Sequence, residues 1–89
     1  MMQRAILIRN KLGLHARAAV KFVNTANRFG ADVRIVKDDN EIDGKSILGI
    51  LTLAATQGTE IALRIDGPDE EAAWEALAEL INNRFGEKE

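Results

Sequence analysis

Hydrophobic and polar residues alternate in two short stretches of the chain, residues 32–37 and 60–66. A period of two is typical of strands that bury one face. Residues 3–9 are short and rich in Ile and Leu, which also fits a strand. The polar residues 38–40 predict a tight turn, so residues 41–43 are expected to pair back as the second strand of a hairpin.

Helical spacing predicts three helices between these strands. The first is expected over Ala16–Phe29, with Gly30 as its stop, and the second over Ile47–Leu53, after Ser46 as N-cap. The third is expected to begin after Asp69 and to end before Gly86. The apolar positions of the first helix are Ala16, Ala19, Val20, Val23 and Ala26, with Phe22 and Phe29 flanking them, and those of the third are Ala73, Leu77, Leu80 and Ile81.

The resulting order, β-α-β-β-α-β-α, has more strands than a doubly wound parallel fold of this size would use. It predicts an α+β sandwich: one four-stranded, mostly antiparallel sheet with the three helices packed on one face. A chain of 89 residues is long enough for one such domain with one modest core.

Composition excludes several classes of function. The chain has no cysteine, which removes disulfides, Cys-zinc sites and thiol nucleophiles, and its single histidine does not suffice for a multi-His metal site. We therefore expect no metal and no cofactor. Aromatic residues make up 4%, too few for a stacking platform on single-stranded nucleic acid. The opening residues do not resemble a signal peptide and no apolar run reaches membrane length, so we expect a cytoplasmic protein with no membrane insertion.

The formal net charge of -2 conceals an uneven distribution. The first 37 residues contain eight Lys or Arg and one acid, whereas the remainder contains four Lys or Arg and thirteen acids. A basic half favours an acidic partner or a phosphate group. The alternative is that the two halves interleave in space and their charges mix.

His15 stands between a glycine-containing loop and the first predicted helix. The first backbone N–H groups of that helix, from Ala16 onward, form a natural anion site. Arg17 can offer a bidentate fork to a phosphate. The helix dipole disfavours a charged imidazole, and a neutral ring is what a nucleophile requires. A histidine that accepts a phosphoryl group needs these features, although a lone histidine is more often a surface or half-buried side chain.

Three segments resemble one family. Residues 10–23 read NKLGLHARAAVKFV, residues 43–61 read DGKSILGILTLAATQGTEI, and residues 67–81 read GPDEEAAWEALAELI. They are similar to the active-site signature, the regulatory-serine signature and the last helix of HPr, the histidine-containing phosphocarrier of the bacterial phosphoenolpyruvate-dependent phosphotransferase system (PTS). The resemblance spans nearly the whole chain and implies that residues 1–89 form a single HPr-like domain with the open-faced β-sandwich fold.

The resemblance also implies a mechanism. His15 would take a phosphoryl group on Nδ1 from phospho-enzyme I and pass it to a histidine of an enzyme IIA, for sugar uptake and regulation. Arg17 and the backbone at Ala16 and Arg17 would bind the phosphate. Such a protein is a carrier and a substrate of enzyme I, not an enzyme. Many relatives have proline where this chain has Ala18, and alanine is expected to keep the helix intact.

Ser46 matches the regulatory serine of the family. In organisms that possess HPr kinase/phosphorylase, that enzyme phosphorylates the family's serine, so the resemblance implies a regulatory phosphorylation site at Ser46. The resemblance further implies a monomer, and contacts with enzyme I and enzyme IIA through Arg17, Val20, Lys21, Ile47, Leu48 and Leu51. Part of this set could instead belong to the core. Trp74 is interpreted as packing at the edge of the core.

Two alternatives remain at this point, and a third is not supported by the residues. The chain could be a carrier of the nitrogen-related PTS, with a purely regulatory role, which the last residues, LINNRFGEKE, favour. It could be a small regulatory protein-binding module that uses its basic half. An acylphosphatase-type enzyme has a similar size and layering, but its arginine-bearing anion loop and its asparagine are not matched here.

Overall fold

The computed structural model describes all of residues 1–89. They form four strands, three α-helices and a short 3₁₀ turn, and the predicted order of elements is confirmed. The strands are β1 (Met2–Leu7), β2 (Asp32–Lys37), β3 (Asn40–Asp43) and β4 (Glu60–Asp66). The helices are α1 (Ala16–Ala26), α2 (Ile47–Leu53) and α3 (Glu70–Asn82), and the 3₁₀ turn is Arg84–Gly86.

The four strands form one sheet in the order β1-β4-β2-β3. All three pairings are antiparallel. Ile6 lies opposite Ile61 and Ile35 lies opposite Leu63, so that residues on neighbouring strands share the face that meets the helices. The open-faced α+β sandwich expected from the sequence is therefore the observed fold.

One continuous core lies between this sheet and the helices. Its largest fully buried side chains include Phe22 of α1, Leu77 and Ile81 of α3, and Phe85 of the 3₁₀ turn. Trp74 packs at the edge of this core, as predicted. None of the helices combines the length and the apolar character that crossing a membrane would require.

The buried face of α1 agrees with the prediction only in part, since Ala19, Val23 and Ala26 are buried as predicted. Ala18 and Phe22 are fully buried, whereas Ala16 and Val20 are exposed. Alanine is only weakly apolar, so the large ring of Phe22 determines which face turns inward. The helix also ends at Ala26, three residues earlier than predicted. It begins at Ala16 as predicted, and Ala18 leaves its first turn intact.

Asp69 occupies the predicted N-cap position of α3, but its side chain does not cap that helix. Its carboxylate accepts hydrogen bonds from the backbone N–H of Gly30, at 2.8 Å, and of Ala31, at 2.9 Å. These bonds, chiefly the one from Gly30, hold the pKa of Asp69 below its ordinary value. Asp69 thus fixes the turn between α1 and β2 to the start of α3. The predicted stripe of α3 is buried except Leu80, which is half-buried.

Candidate functional site

The loop that leads to His15 is held against the connection between α2 and β4. Gly13 has a φ of +67°, and a Cβ at this position would lie 2.4 Å from the carbonyl oxygen of Ala55. The N–H of Leu14 donates to the same oxygen at 2.9 Å. Only glycine combines this backbone conformation with so close an approach, so Gly13 sets the path of the chain into His15.

His15 is the residue immediately before α1, in an extended conformation, and its carbonyl oxygen accepts the N–H of Ala19 at 2.9 Å. Its imidazole makes no capping bond to the helix. The N–H groups of Ala16, Arg17 and Ala18 therefore precede the first intrahelical bond and have no capping side chain. Together with the helix dipole they form a site suited to an anion.

Arg17 makes no ion pair within the chain, and α1 contains no acidic residue. Its side chain lines a pocket of about 350 Å³. The other residues of this pocket are Lys11, Leu12, Glu87, Lys88 and Glu89. The backbone of the predicted phosphate ligands Ala16 and Arg17 directly follows His15 at the start of α1, and the Arg17 guanidinium has no ion-pair partner within the chain.

Glu87, which the sequence analysis did not single out, contacts His15 directly. Its Oε2 lies 2.5 Å from Nε2 of His15, and its Oε1 accepts from Nδ2 of Asn10 at 3.1 Å. Burial raises the pKa of Glu87, but the bonds from His15 and Asn10 outweigh this and leave the pKa below its ordinary value. Glu87 lies 72 residues from His15 along the chain, so no local pattern in the sequence links the two residues. In the sequence alone, Glu87 resembles a solvent-exposed residue of the C-terminal segment.

Ser46, at the start of α2, caps that helix. Its Oγ accepts from the N–H of Gly49 at 3.0 Å, which confirms the predicted cap. Its carbonyl oxygen accepts the N–H of Ile50 at 3.0 Å. Ser46 as a residue is half-buried.

The residues expected to contact partners are mostly exposed. Leu48 is 77% exposed, and three further apolar side chains are between 38% and 41% exposed. Together these four form what we call the apolar patch: Val20, Ile47, Leu48 and Leu51. Helices α1 and α2, which supply them, pack against each other. Lys21 differs from the rest, because its ammonium donates to the carbonyl oxygen of Phe85 at 2.5 Å.

The two oppositely charged halves of the chain do meet in space. Lys11 pairs with Glu89 at 3.3 Å and Arg4 pairs with Glu71 at 3.9 Å. The mixing is partial, because Arg17 stays unpaired. No three His, Asp or Glu side chains lie close enough together to hold a metal ion.

Comparison with known proteins gives a consistent result. The family model "PTS HPr component phosphorylation site" matches residues 2–83. Phosphocarrier protein HPr of Neisseria meningitidis is 52% identical over 89 residues, which is all of both chains. The crystal structure of HPr-C-His from Thermoanaerobacter tengcongensis superimposes with a TM-score of 0.96 at 44% identity and full coverage of both chains.

A second similar structure is Crh of Bacillus subtilis, a swapped dimer, with a TM-score of 0.76 at 43% identity. It covers 94% of this chain and 97% of its own. Full-length identity to curated HPr proteins, the family match and the shared fold agree with one another. The chain therefore belongs to the HPr family of PTS phosphocarrier proteins.

Proposed function

We propose that this protein accepts a phosphoryl group on Nδ1 of His15 from phospho-enzyme I and donates it to a histidine of an enzyme IIA. The observation that carries the proposal is the position of His15. Its ring stands at the start of α1 without capping it, beside unpaired helix N–H groups and the unpaired Arg17. This arrangement offers a nucleophile and an anion site in one place.

The transfer needs little else. The Nδ1 lone pair of neutral His15 attacks phosphorus, and the P–N bond of the donor histidine breaks with its electron pair leaving on the donor nitrogen. The phosphoryl oxygens then accept hydrogen bonds from the N–H groups of Ala16 and Arg17 and from the Arg17 guanidinium. Phosphoryl transfer depends mainly on positioning and charge stabilisation, so the reverse step can use the same contacts.

The apolar patch, with Arg17 at its side, suits docking to enzyme I and enzyme IIA through an apolar surface with acidic residues around it. Lys21 would join this contact only after its ammonium leaves the carbonyl oxygen of Phe85. We propose that the chain acts as a cytoplasmic monomer. A swapped dimer like that of the Crh relative would appear as doubled mass in solution.

We further propose that Ser46 is a regulatory phosphorylation site for HPr kinase/phosphorylase. A phosphoserine at this helix start keeps an oxygen acceptor for the N–H of Gly49 and adds about 1.5 to 2 negative charges beside Ile47 and Leu48. Those charges would repel an acidic partner surface. Phosphorylation of Ser46 is therefore expected to slow transfer from enzyme I without unfolding the protein.

The experiment is an intact-mass measurement after incubation with phosphoenolpyruvate, Mg²⁺ and a catalytic amount of enzyme I. One acid-labile, base-stable phosphoryl group is expected on the protein, and none on His15→Ala. No phosphoryl group with either a sugar-type or a nitrogen-type enzyme I would contradict the proposal.

Adding enzyme IIA proteins then separates the two branches of the PTS. We propose the sugar-uptake branch, because residues 43–61 resemble the regulatory-serine signature. Transfer only to a nitrogen-type IIA would instead support the nitrogen-related role.

A further inference from the structure

We infer that Glu87 is a positioning residue that selects which nitrogen of His15 reacts: its carboxylate holds the proton on Nε2 and leaves the lone pair on Nδ1. The inference rests on the proposed function of His15 and deepens it. The residues matched by the family model end at 83, so Glu87 lies outside the matched segment.

The carboxylate of Glu87 is held through both of its oxygens. Oε2 lies 2.5 Å from Nε2 of His15 and Oε1 accepts from Nδ2 of Asn10 at 3.1 Å. Asn10 is fully buried, and its Nδ2 also donates to the carbonyl oxygen of Gly13 at 2.7 Å. Because both contacts of this Nδ2 are acceptors, the orientation of the amide is determined. A buried amide therefore anchors Glu87 to the loop that presents His15.

The segment that carries Glu87, residues 84–89, is fixed on both sides of it. Arg84 and Phe85 have φ values of 57° and 55°, which non-glycine residues rarely adopt. Phe85 is nevertheless fully buried, and its carbonyl oxygen accepts from Lys21. Beyond Glu87, a main-chain oxygen of Glu89 accepts a hydrogen bond from the N–H of Lys11 at 2.5 Å. Such a backbone persists only where the surroundings enforce it, and its effect is to direct Glu87 toward the imidazole.

The chemistry follows from the inventory of donors and acceptors. A carboxylate only accepts hydrogen bonds, and a neutral imidazole has one N–H and one lone pair. The nitrogen that faces Glu87 must therefore carry the proton, and the other nitrogen, Nδ1, must carry the lone pair. Lys11, Arg17 and Lys88 line the same pocket as Glu87, with Glu89 as the other acidic residue, and Lys21 adds a further positive charge. This surplus of positive charge favours the ionised form of Glu87.

The contact is compatible with the phosphorylated state. The two ring nitrogens point in different directions, so a phosphoryl group on Nδ1 and the carboxylate on Nε2 occupy different sides of the ring. When the Nδ1 lone pair forms the P–N bond, the ring retains its Nε2 proton and becomes a cation. The carboxylate of Glu87 then serves as its counter-ion.

The test uses a small phosphoryl donor, phosphoramidate, and needs no enzyme I. A ring nitrogen of His15 attacks phosphorus, the P–N bond of phosphoramidate breaks and ammonia leaves. Coupling between ¹⁵N and ³¹P in labelled protein identifies the nitrogen that carries the phosphoryl group. In the wild-type protein the Nδ1 isomer is expected to exceed the Nε2 isomer by about tenfold or more. This ratio corresponds to the free energy of one charge-assisted hydrogen bond. Glu87→Ala is expected to give both isomers.

The matched control is Glu89→Gln, which removes a carboxylate from the same segment without touching His15, and it should react as wild type does. Equal isomer ratios in wild type and Glu87→Ala would overturn the inference. Because Glu87→Ala could also release the segment, ¹⁵N shifts of the unmodified wild-type ring provide a second measurement. A proton on Nε2 in the neutral ring is expected, and a proton on Nδ1 would overturn the inference. Both measurements are independent of whether enzyme I phosphorylates the protein.

Discussion

The starts of α1 and α2 differ in how they treat their first backbone N–H groups. At α2, the side chain of Ser46 accepts the N–H of Gly49 and closes the helix start. At α1, the side chain of His15 caps nothing, because its Nε2 is directed to Glu87 instead. A side chain at the N-cap position can thus serve either the helix or a ligand.

This difference explains how one small domain can hold a stable fold and a reactive site. An N-cap bond contributes about 1 kcal/mol to a helix, and α1 forgoes it. The compensation at α1 is packing, since Ala18, Ala19 and Phe22 are all fully buried. The start of α1 therefore remains available to an anion, while the buried side chains hold the helix against the core.

The largest expected effect comes from removing the guanidinium of Arg17 at the uncapped start of α1. Arg17→Ala should slow phosphoryl transfer from enzyme I by about 10²- to 10³-fold, as the loss of one donor to a developing anionic centre does. Single-turnover transfer measures this. Arg28→Ala removes an equal charge from an exposed residue outside the pocket, and an equal loss of rate in that variant would refute a specific role for Arg17.

Gly13→Ala should destabilise the protein by about 2 to 4 kcal/mol, because left-handed backbone strain adds to a clash with the carbonyl oxygen of Ala55. Urea unfolding measures this. Gly58→Ala is the matched control: Gly58 has a φ of +86° and open space around it, so it isolates the strain at about 1 to 2 kcal/mol. Equal losses in both variants would show that the contact with Ala55 contributes nothing.

Ser46→Ala should cost about 1 kcal/mol of stability, the value of one N-cap. Thermal unfolding measures it, and transfer to His15 should be unchanged. Ser46→Asn keeps an oxygen acceptor for Gly49 and should retain most of the stability. If Ser46→Ala instead stopped phosphorylation of His15, the two helix starts would not be independent.

The smallest effect is expected at the third helix start, where Asp69 bonds to Gly30 and Ala31. The folded state lowers the pKa of Asp69, so its stabilising contribution is present above the unfolded value near 3.8 and is lost as pH falls through the folded value. Asp69→Asn should flatten the acid side of the stability profile. Asp39→Asn, in an exposed turn, should leave that profile as it is in wild type.

The parts of the fold set by local pattern were predictable from the sequence. Alternation placed β2 and β4 correctly, and Ser46 with the apolar run after it placed α2. The face of α1 was not predictable from its alanines, because burial of Phe22 decides it. His15 and Arg17 stood out through their neighbours in the chain, whereas Glu87 did not, since only the folding back of residues 84–89 brings it to the ring.

The most direct test of the central claim is a ¹H–¹⁵N spectrum before and after phosphorylation by enzyme I. The amide resonances of Ala16 and Arg17 are expected to move most, because their N–H groups donate to the phosphoryl oxygens. The amides of Ile47 and Gly49, at the closed start of α2, should move much less. Largest shifts at α2, or shifts spread evenly over both helix starts, would contradict phosphate binding at the start of α1.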